Sequence, residues 1–249
     1  LVFDLVRRHQ ITCEASQTGT IRAAYNAGSA AEVRSSFEQG ARRGMPVELL
    51  DSAKLATATG TTRYLSALLD RRGGHVNPLG YARGLAQAAM QAGVAIHGSS
   101  PATKVWRDGG RWKVQTPSGT VSAEKLVLAT NGYTDSIWPS LRHTIVPVYS
   151  GIVATEPLPD DVARDVFPVR ASLYELGKVT VYYRLDASNR VLMGGRCQQN
   201  SVESPDEMRF LMRYTHRLWP QLHQFKFTHG WKDQLAVTRD HYPPIHEPA

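Results

Sequence analysis

The chain is poor in several features, and each absence removes a class of protein. No G-x-G-x-x-G occurs in its 249 residues, so the glycine-rich turn that cradles a dinucleotide pyrophosphate is missing. Cysteine is scarce: Cys13 and Cys197 have neither C-x-x-C nor metal-ligand spacing, which fits a reducing compartment and a cytoplasmic location. The nine histidines are dispersed and none pairs at helical metal spacing, so no metal is expected. No apolar run approaches the roughly 18 residues of a membrane span, and no repeat or low-complexity tract is present. Acidic residues are in the minority, 22 against 29 basic ones, for a net charge of +7. The basic residues are scattered without interleaved aromatics, which argues against a nucleic-acid partner and makes pairs such as Arg42-Arg43 and Arg71-Arg72 solvated faces. A mildly positive field instead suits an anionic cofactor or a carboxylate-bearing substrate.

What is present is ordinary globular material, 42% hydrophobic and 20% charged, enough for one large domain or two moderate ones. The first residues already read as the tail of an amphipathic helix (Leu1, Leu5, Val6), which suggests an internal piece of a longer polypeptide. A strand is expected over Thr18 to Tyr25 and a helix over Ser29 to Arg43 with Ser29 as its cap. A short strand follows at Val47 to Leu50, then Asp51 as the cap of another helix. Asn77 followed by Pro78 marks a third helix start, Tyr81, Leu85, Ala88 and Ala92 form its apolar stripe, and Gly93 stops it. Val94 to His97 reads as the strand of an α/β unit. Three strands near Ala102 to Arg107, Arg111 to Thr116 and Thr120 to Ser122 are joined by turns at Gly109-Gly110 and Pro117-Ser118-Gly119.

The most informative run is Leu126-Val127-Leu128-Ala129-Thr130-Asn131-Gly132-Tyr133. An aliphatic stretch of this kind reads as a buried parallel strand entering a small-residue turn, and ligands of such sheets lie beyond the strands' carboxyl ends. The second half reads as a broad antiparallel sheet: Ile145 to Thr155, Val179 to Leu185, Arg190 to Arg196 and Phe225 to Val237. A tight turn at Asp186 to Asn189 joins the middle pair, and a helix over Glu203 to Trp219 starts near Ser204 or Asp206 and is closed by Pro220. On the second of these strands, alternation puts Thr180, Tyr182 and Arg184 on one face and Val179, Val181 and Tyr183 on the other. Arg190, Leu192, Gly194 and Arg196 share a face of the neighbouring strand.

Four stretches, taken in order, resemble the interior of flavoproteins of the D-amino-acid oxidase superfamily, in particular the branch of γ-glutamylputrescine oxidases. They are Val76-Asn77-Pro78-Leu79-Gly80-Tyr81-Ala82-Arg83-Gly84-Leu85; Leu126 to Tyr133; Tyr182-Tyr183-Arg184-Leu185 with Met193-Gly194-Gly195-Arg196; and Trp231 with Thr238-Arg239-Asp240-His241-Tyr242-Pro243. Asp233 departs from the pattern, since relatives tend to carry Gly there, a residue that tolerates positive φ better. The resemblance implies an α+β fold: residues 1–73 and 144–249 as a substrate domain with a large antiparallel or mixed sheet, and residues 74–143 as a partial FAD-binding domain of helix, parallel strands and three-stranded meander. Both Gly-rich flavin segments of such proteins fall outside the chain.

The same resemblance implies that the parent protein is an FAD-dependent enzyme oxidising the C–N bond of a small amine or amino acid to an imine, with peroxide release. The flavin performs the difficult step, so no side-chain nucleophile is required and no catalytic residue is assigned. Cofactor contacts are expected at Ala129, Thr130, Asn131 and Gly132, and at Ala102 toward the adenine. Substrate-facing positions are Tyr149, Tyr182, Arg184 and Arg196, the last suited to two-point binding of a carboxylate. Alone, the chain is expected to be inactive and to hold no FAD; the alternative is a non-catalytic binding domain. An exposed sheet edge gives a route to homo-oligomers.

Overall fold

A computed structural model describes residues 1–177, 180–197 and 205–239. Element order is α1 (Val2–Arg8), β1 (Thr20–Ala24), α2 (Ala27–Arg42), β2 (Val47–Asp51), α3 (Ser52–Thr59), β3 (Ser66–Asp70), α4 (Pro78–Gln91), β4 (Lys104–Asp108), β5 (Arg111–Thr116), β6 (Gly119–Ala123), α5 (Pro139–Arg142), β7 (Ile145–Thr155), α6 (Asp160–Val166), β8 (Ser172–Glu175), β9 (Val181–Leu185), β10 (Val191–Arg196), α7 (Pro205–Leu218) and β11 (Phe227–Thr238). Short 3-10 turns cover Asn131–Tyr133 and Pro220–Gln224. The chain is of the α+β class and divides into two compact units, one of Leu1–Ala92 with Gly151–Lys232, the other of Gly93–Ser150 with Asp233–Ala249.

The larger unit is organised by a mixed sheet of order β11-β7-β10-β9-β8-β1-β3-β2, in which β1 and β8 run parallel and β1–β3, β2–β3, β8–β9 and β9–β10 run antiparallel. Alternation divides it into two faces. One carries Ile21, Ala23, Leu173, Val181, Tyr183, Leu185, Val191 and Met193, all buried in the main core with Phe167, Leu211 and Trp219. Fully burying one such side chain is worth roughly 1.5–3 kcal/mol. The Tyr183 ring meets Phe167 and Trp219 edge-on at 5.1 and 4.9 Å, and the indole Nε1 donates to the Thr59 carbonyl at 2.9 Å. Among the described residues a single carboxylate enters this core: Glu175 accepts from Tyr64 Oη at 2.9 Å and from Tyr214 Oη. Burial pushes its pKa up, against the pull of the two hydroxyls and of Arg63.

On the opposite face α2 covers one end, where Val33 packs with Ala24, Leu68 and Leu176. Its cap is Asn26, whose Oδ1 accepts from Ser29 N at 2.9 Å while Ser29 Oγ accepts from Asn26 N. The helix therefore starts before Ser29, which is its third residue and the far member of a capping box rather than the cap. The caps expected at Asp51 and Asn77 are present, accepting from Lys54 N at 2.8 Å and Gly80 N at 3.1 Å, and Gly93 follows α4 at φ +90°. The caps expected at Ser204 and Asp206 and the Val179 and Asp240 to Pro243 positions lie outside the described residues or side chains.

In the smaller unit β4, β5 and β6 form the expected meander. Gly109 and Gly110 turn the first hairpin with φ of +56° and +79°, the type I′ geometry that glycine adopts without a Cβ penalty. The parallel strands expected at Val94 to His97 and Lys125 to Ala129 are not formed: both stretches lie outside every ladder, with Val94, Ile96 and Val127 exposed. A strand is a paired object, and no described segment offers these two a partner.

Candidate functional site

The face of the large sheet opposite the core carries a continuous cross-strand row, Leu49–Leu68–Arg22–Tyr174–Tyr182–Gly194, set by the register of five strand pairings. At its closed end Leu49 and Leu68 lie under α2. Further along the row turns polar. Arg22, Tyr174 and Tyr182 are each part-exposed, while their chain neighbours Ile21, Ala23, Leu173, Val181 and Tyr183 are buried on the other side. Gly194 makes room for Tyr182: a Cβ there would stand 2.0 Å from the ring's Cε2. The adjoining Gly195 faces the core, where a Cβ would meet Leu211 at 3.0 Å. The paired glycines thus let a tyrosine lie on one side of β10 and a leucine of α7 on the other.

Next to this row stand Arg184 and His75. Arg184 pairs across the ladder with Leu192. Burial lowers its pKa, partly offset by Asp186 and Glu14. His75 is held by a two-way backbone bridge with Ser16, each N donating to the other's carbonyl at 2.9 Å. Burial, reinforced by the charge of Arg184, brings the imidazole pKa down to about 4, so the ring is neutral at pH 7. Its Nδ1 is enclosed without a hydrogen-bond partner among the described residues. Buried polar atoms are rarely left so, and such an atom beside a cationic, tyrosine-lined surface is a natural contact for a ligand.

The larger unit therefore brings Tyr182 and Arg184 together, and adds Arg22, Tyr174 and His75, which sequence reasoning missed. A signal existed for Arg22: in Thr20–Ala24 alternation places Thr20 and Arg22 on the face opposite Ile21 and Ala23. Arg196 ends β10 exposed to solvent. Tyr149 lies on β7 in the smaller unit, part-buried.

In the smaller unit the turn at Thr130 to Thr134 is docked on the end of β11. Asn131, at φ +48°, accepts from Ala236 N through Oδ1 at 3.0 Å. Gly132 is buried because a Cβ there would sit 2.4 Å from the Gln234 carbonyl, so a close backbone approach explains this glycine. Tyr133 Oη donates to Asp233 Oδ1. Asp233 is extended and is not among the positive-φ residues, so Asp in place of Gly brings no backbone strain there. Ala102, Ala129 and Thr130 are exposed and small. Among the described residues no cluster of three or more His, Cys, Asp or Glu could hold a metal, and Cys13 and Cys197 are buried and form no disulfide. No helix among them is long and apolar enough to cross a membrane.

Comparison with known proteins agrees with these features. The family model described as DAO, FAD dependent oxidoreductase, matches residues 1–249. A probable oxidoreductase OrdL of Haemophilus influenzae is 33% identical over 201 residues, covering 79% of this chain and 46% of its own length. The gamma-glutamylputrescine oxidoreductase of Escherichia coli is 29% identical over 245 residues, covering 98% and 57%. The chain thus spans about half the length of these curated relatives. Among solved structures, glycine oxidase from Geobacillus kaustophilus superposes with a TM-score of 0.81 at 19% identity, covering 99% of this chain and 66% of that one. L-proline dehydrogenase from P. horikoshii gives 0.83 at 16%, covering 100% and 68%. With the family model matching its whole length, the chain belongs to the DAO family of FAD-dependent oxidoreductases.

Proposed function

We propose that the protein containing this chain oxidises the C–N bond of an amine or amino acid to an imine, which water then hydrolyses. The observation that carries this reading is the open polar row of Arg22, Tyr174 and Tyr182 beside Arg184 and neutral His75, on a chain of an FAD-dependent family. The relative named gamma-glutamylputrescine oxidoreductase supports an amine as the substrate. FAD, when bound, would accept the hydride equivalent from the carbon bearing nitrogen and pass the electrons to dioxygen, giving hydrogen peroxide.

The residues present fit such a cofactor. Ala102, Ala129 and Thr130 are exposed and small, and Ala102 and Ala129 lie outside every ladder, so they suit close approach of a nucleotide. Asn131 and Gly132 would serve that contact by fixing the turn on β11, since the Asn131 amide and the Gly132 surface are already engaged there. On the sheet, Tyr182 would orient the substrate over Gly194. Arg184 would supply a fixed positive potential, and His75 Nδ1, if it carries no proton, could accept a hydrogen bond from the substrate nitrogen. Arg196 is a further candidate for this surface, and Tyr149, in the smaller unit, is a separate candidate for substrate contact. The domain assignment expected from the sequence, residues 74–143 with the flavin and the rest with the substrate, remains part of this proposal. So does a cytoplasmic location, which the two unbridged cysteines favour.

The test is a peroxide-release screen of the full-length, FAD-loaded protein against putrescine, gamma-glutamylputrescine, sarcosine and D-amino acids. Turnover of at least one is expected. A yellow protein that releases no peroxide and whose flavin none of them bleaches anaerobically would overturn the reading.

A further inference from the structure

A groove of about 420 Å³ opens between α2 and the sheet, with Thr20, Arg22 and Tyr174 as its floor and Ser36, Gln39 and Arg43 on its helical wall. The helix positions recur at one-turn spacing from Glu32 (32, 36, 39, 43), so a single polar stripe of α2 borders the groove. Two arginines converge there. Arg22 has its Nη2 3.6 Å from Glu32 Oε1 and interacts with the Tyr174 hydroxyl, while its Nε is buried with no partner among the described residues. The guanidinium also lies 5.8 Å from the centroid of the Tyr174 ring. Arg43 forms no ion pair with any described residue. The acid of the lining itself, Asp70, is already held by Arg72 through bonds of 2.7 and 2.9 Å. The groove therefore presents unsatisfied cationic donors and little free negative charge.

We propose that this groove is a carboxylate-binding subsite, with Arg22 the principal donor and Arg43 the second. Its position suggests the source of the carboxylate. Arg22 and Tyr182 belong to the same cross-strand row, two strands apart, so about 10 Å separates them at the usual strand spacing. Building on the reading that the amine reacts beside Tyr182, the subsite takes the far end of a long substrate, an amine carrying a carboxylate eight or so carbons away. The other source of the same chemistry is a free small acid.

Two measurements on the full-length, FAD-loaded protein separate these. The first is calorimetric titration with glutarate, a readout independent of turnover. Arg22→Gln and Arg43→Gln weaken binding, Arg22→Gln at least tenfold. Glu32→Gln, which removes the competing carboxylate from an exposed helix position, strengthens it about threefold. A merely structural role for the Arg22–Glu32 pair would not produce that opposite sign. The second is the ratio of kcat/KM for 8-aminooctanoate over octylamine. A tenfold fall of this ratio in Arg22→Gln identifies the substrate's own carboxylate as the occupant. An unmoved ratio with the glutarate series intact identifies a free acid. Glutarate that fails to bind, or binds equally to all four proteins, overturns the subsite. If no amine reduces the flavin, the functional reading fails while the glutarate titration still reads the groove.

Discussion

Replacing Gly194 by Ala tests whether the Tyr182 ring lies against that glycine. The added Cβ would stand 2.0 Å from Cε2, 2.3 Å from Cζ and 2.8 Å from Cδ2 of the Tyr182 ring, distances at which carbon atoms cannot coexist. The backbone at Gly194 is ordinary extended strand, so the clash with the ring is the whole perturbation. The ring is the end of a rotatable side chain on a part-exposed face, so it can swing away, and the cost belongs at the low end of overpacking, about 1–2 kcal/mol. For a domain of this size that lowers Tm by roughly 2–8 °C. The assay is a double-mutant cycle read by thermal or urea unfolding. In a Tyr182→Ala background the clash partner is gone, so Gly194→Ala should there cost about nothing, with a coupling energy of about 1–2 kcal/mol. On the proposed function the single variant should also lose amine turnover in the full-length protein, about tenfold or more, because the ring proposed to orient the substrate is displaced. A cost for Gly194→Ala that persists unchanged in the Tyr182→Ala background, or no cost in either, would refute the reasoning.

Other consequences can be checked as directly. His75 has a folded pKa of about 4 against 6.5 unfolded, so its stabilising contribution is complete above pH 6.5 and is lost as pH falls toward 4. Wild-type unfolding free energy should drop with acid across that window, at no more than about 1.4 kcal/mol per pH unit from this group, and His75→Gln should flatten the slope. Gly132→Ala would push a Cβ to 2.4 Å from the backbone carbonyl of Gln234, which cannot rotate away, so the turn should lift off β11. Hydrogen exchange at the Ala236 amide would report this as lost protection; unchanged protection would contradict the docking. Asn77→Ala should cost about 1 kcal/mol through loss of the cap on Gly80 N, with Asn77→Ser largely neutral. The 249-residue chain purified alone, having no G-x-G-x-x-G, should show no visible flavin absorption, and a yellow preparation would contradict that.

How much of this was legible in the sequence depended on how local each feature is. Asn77-Pro78 and Asp51 mark their helix starts because a cap is a contact between residues three apart. The alternation of Val181, Tyr182 and Tyr183 is legible because it is a property of one strand. Ser29 misled because a capping box places polar residues at both of its ends, and Asn26 was the other. Val94 to His97 and Lys125 to Ala129 misled for a deeper reason: apolar content signals willingness to be buried, whereas a strand also needs a neighbour, and sequence alone does not show whether one is present. The same limit hid the candidate site. Arg22, Tyr174 and Tyr182 stand side by side only because β1 pairs in parallel with β8 and β8 antiparallel with β9, across separations of about 150 residues in the first case. Ser172–Glu175 was too short to stand out, and with β8 unrecognised the row could not be assembled.

On the proposed function, the polar face beside Arg184 receives the amine. Anaerobic stopped-flow reduction of the full-length, FAD-loaded enzyme measures this step alone, free of reoxidation by oxygen. Tyr182→Phe and Arg184→Gln, at undiminished flavin content, should slow flavin bleaching by its amine at least tenfold or weaken its concentration dependence to match. Bleaching as fast and as tight as wild type in both variants would place the amine elsewhere.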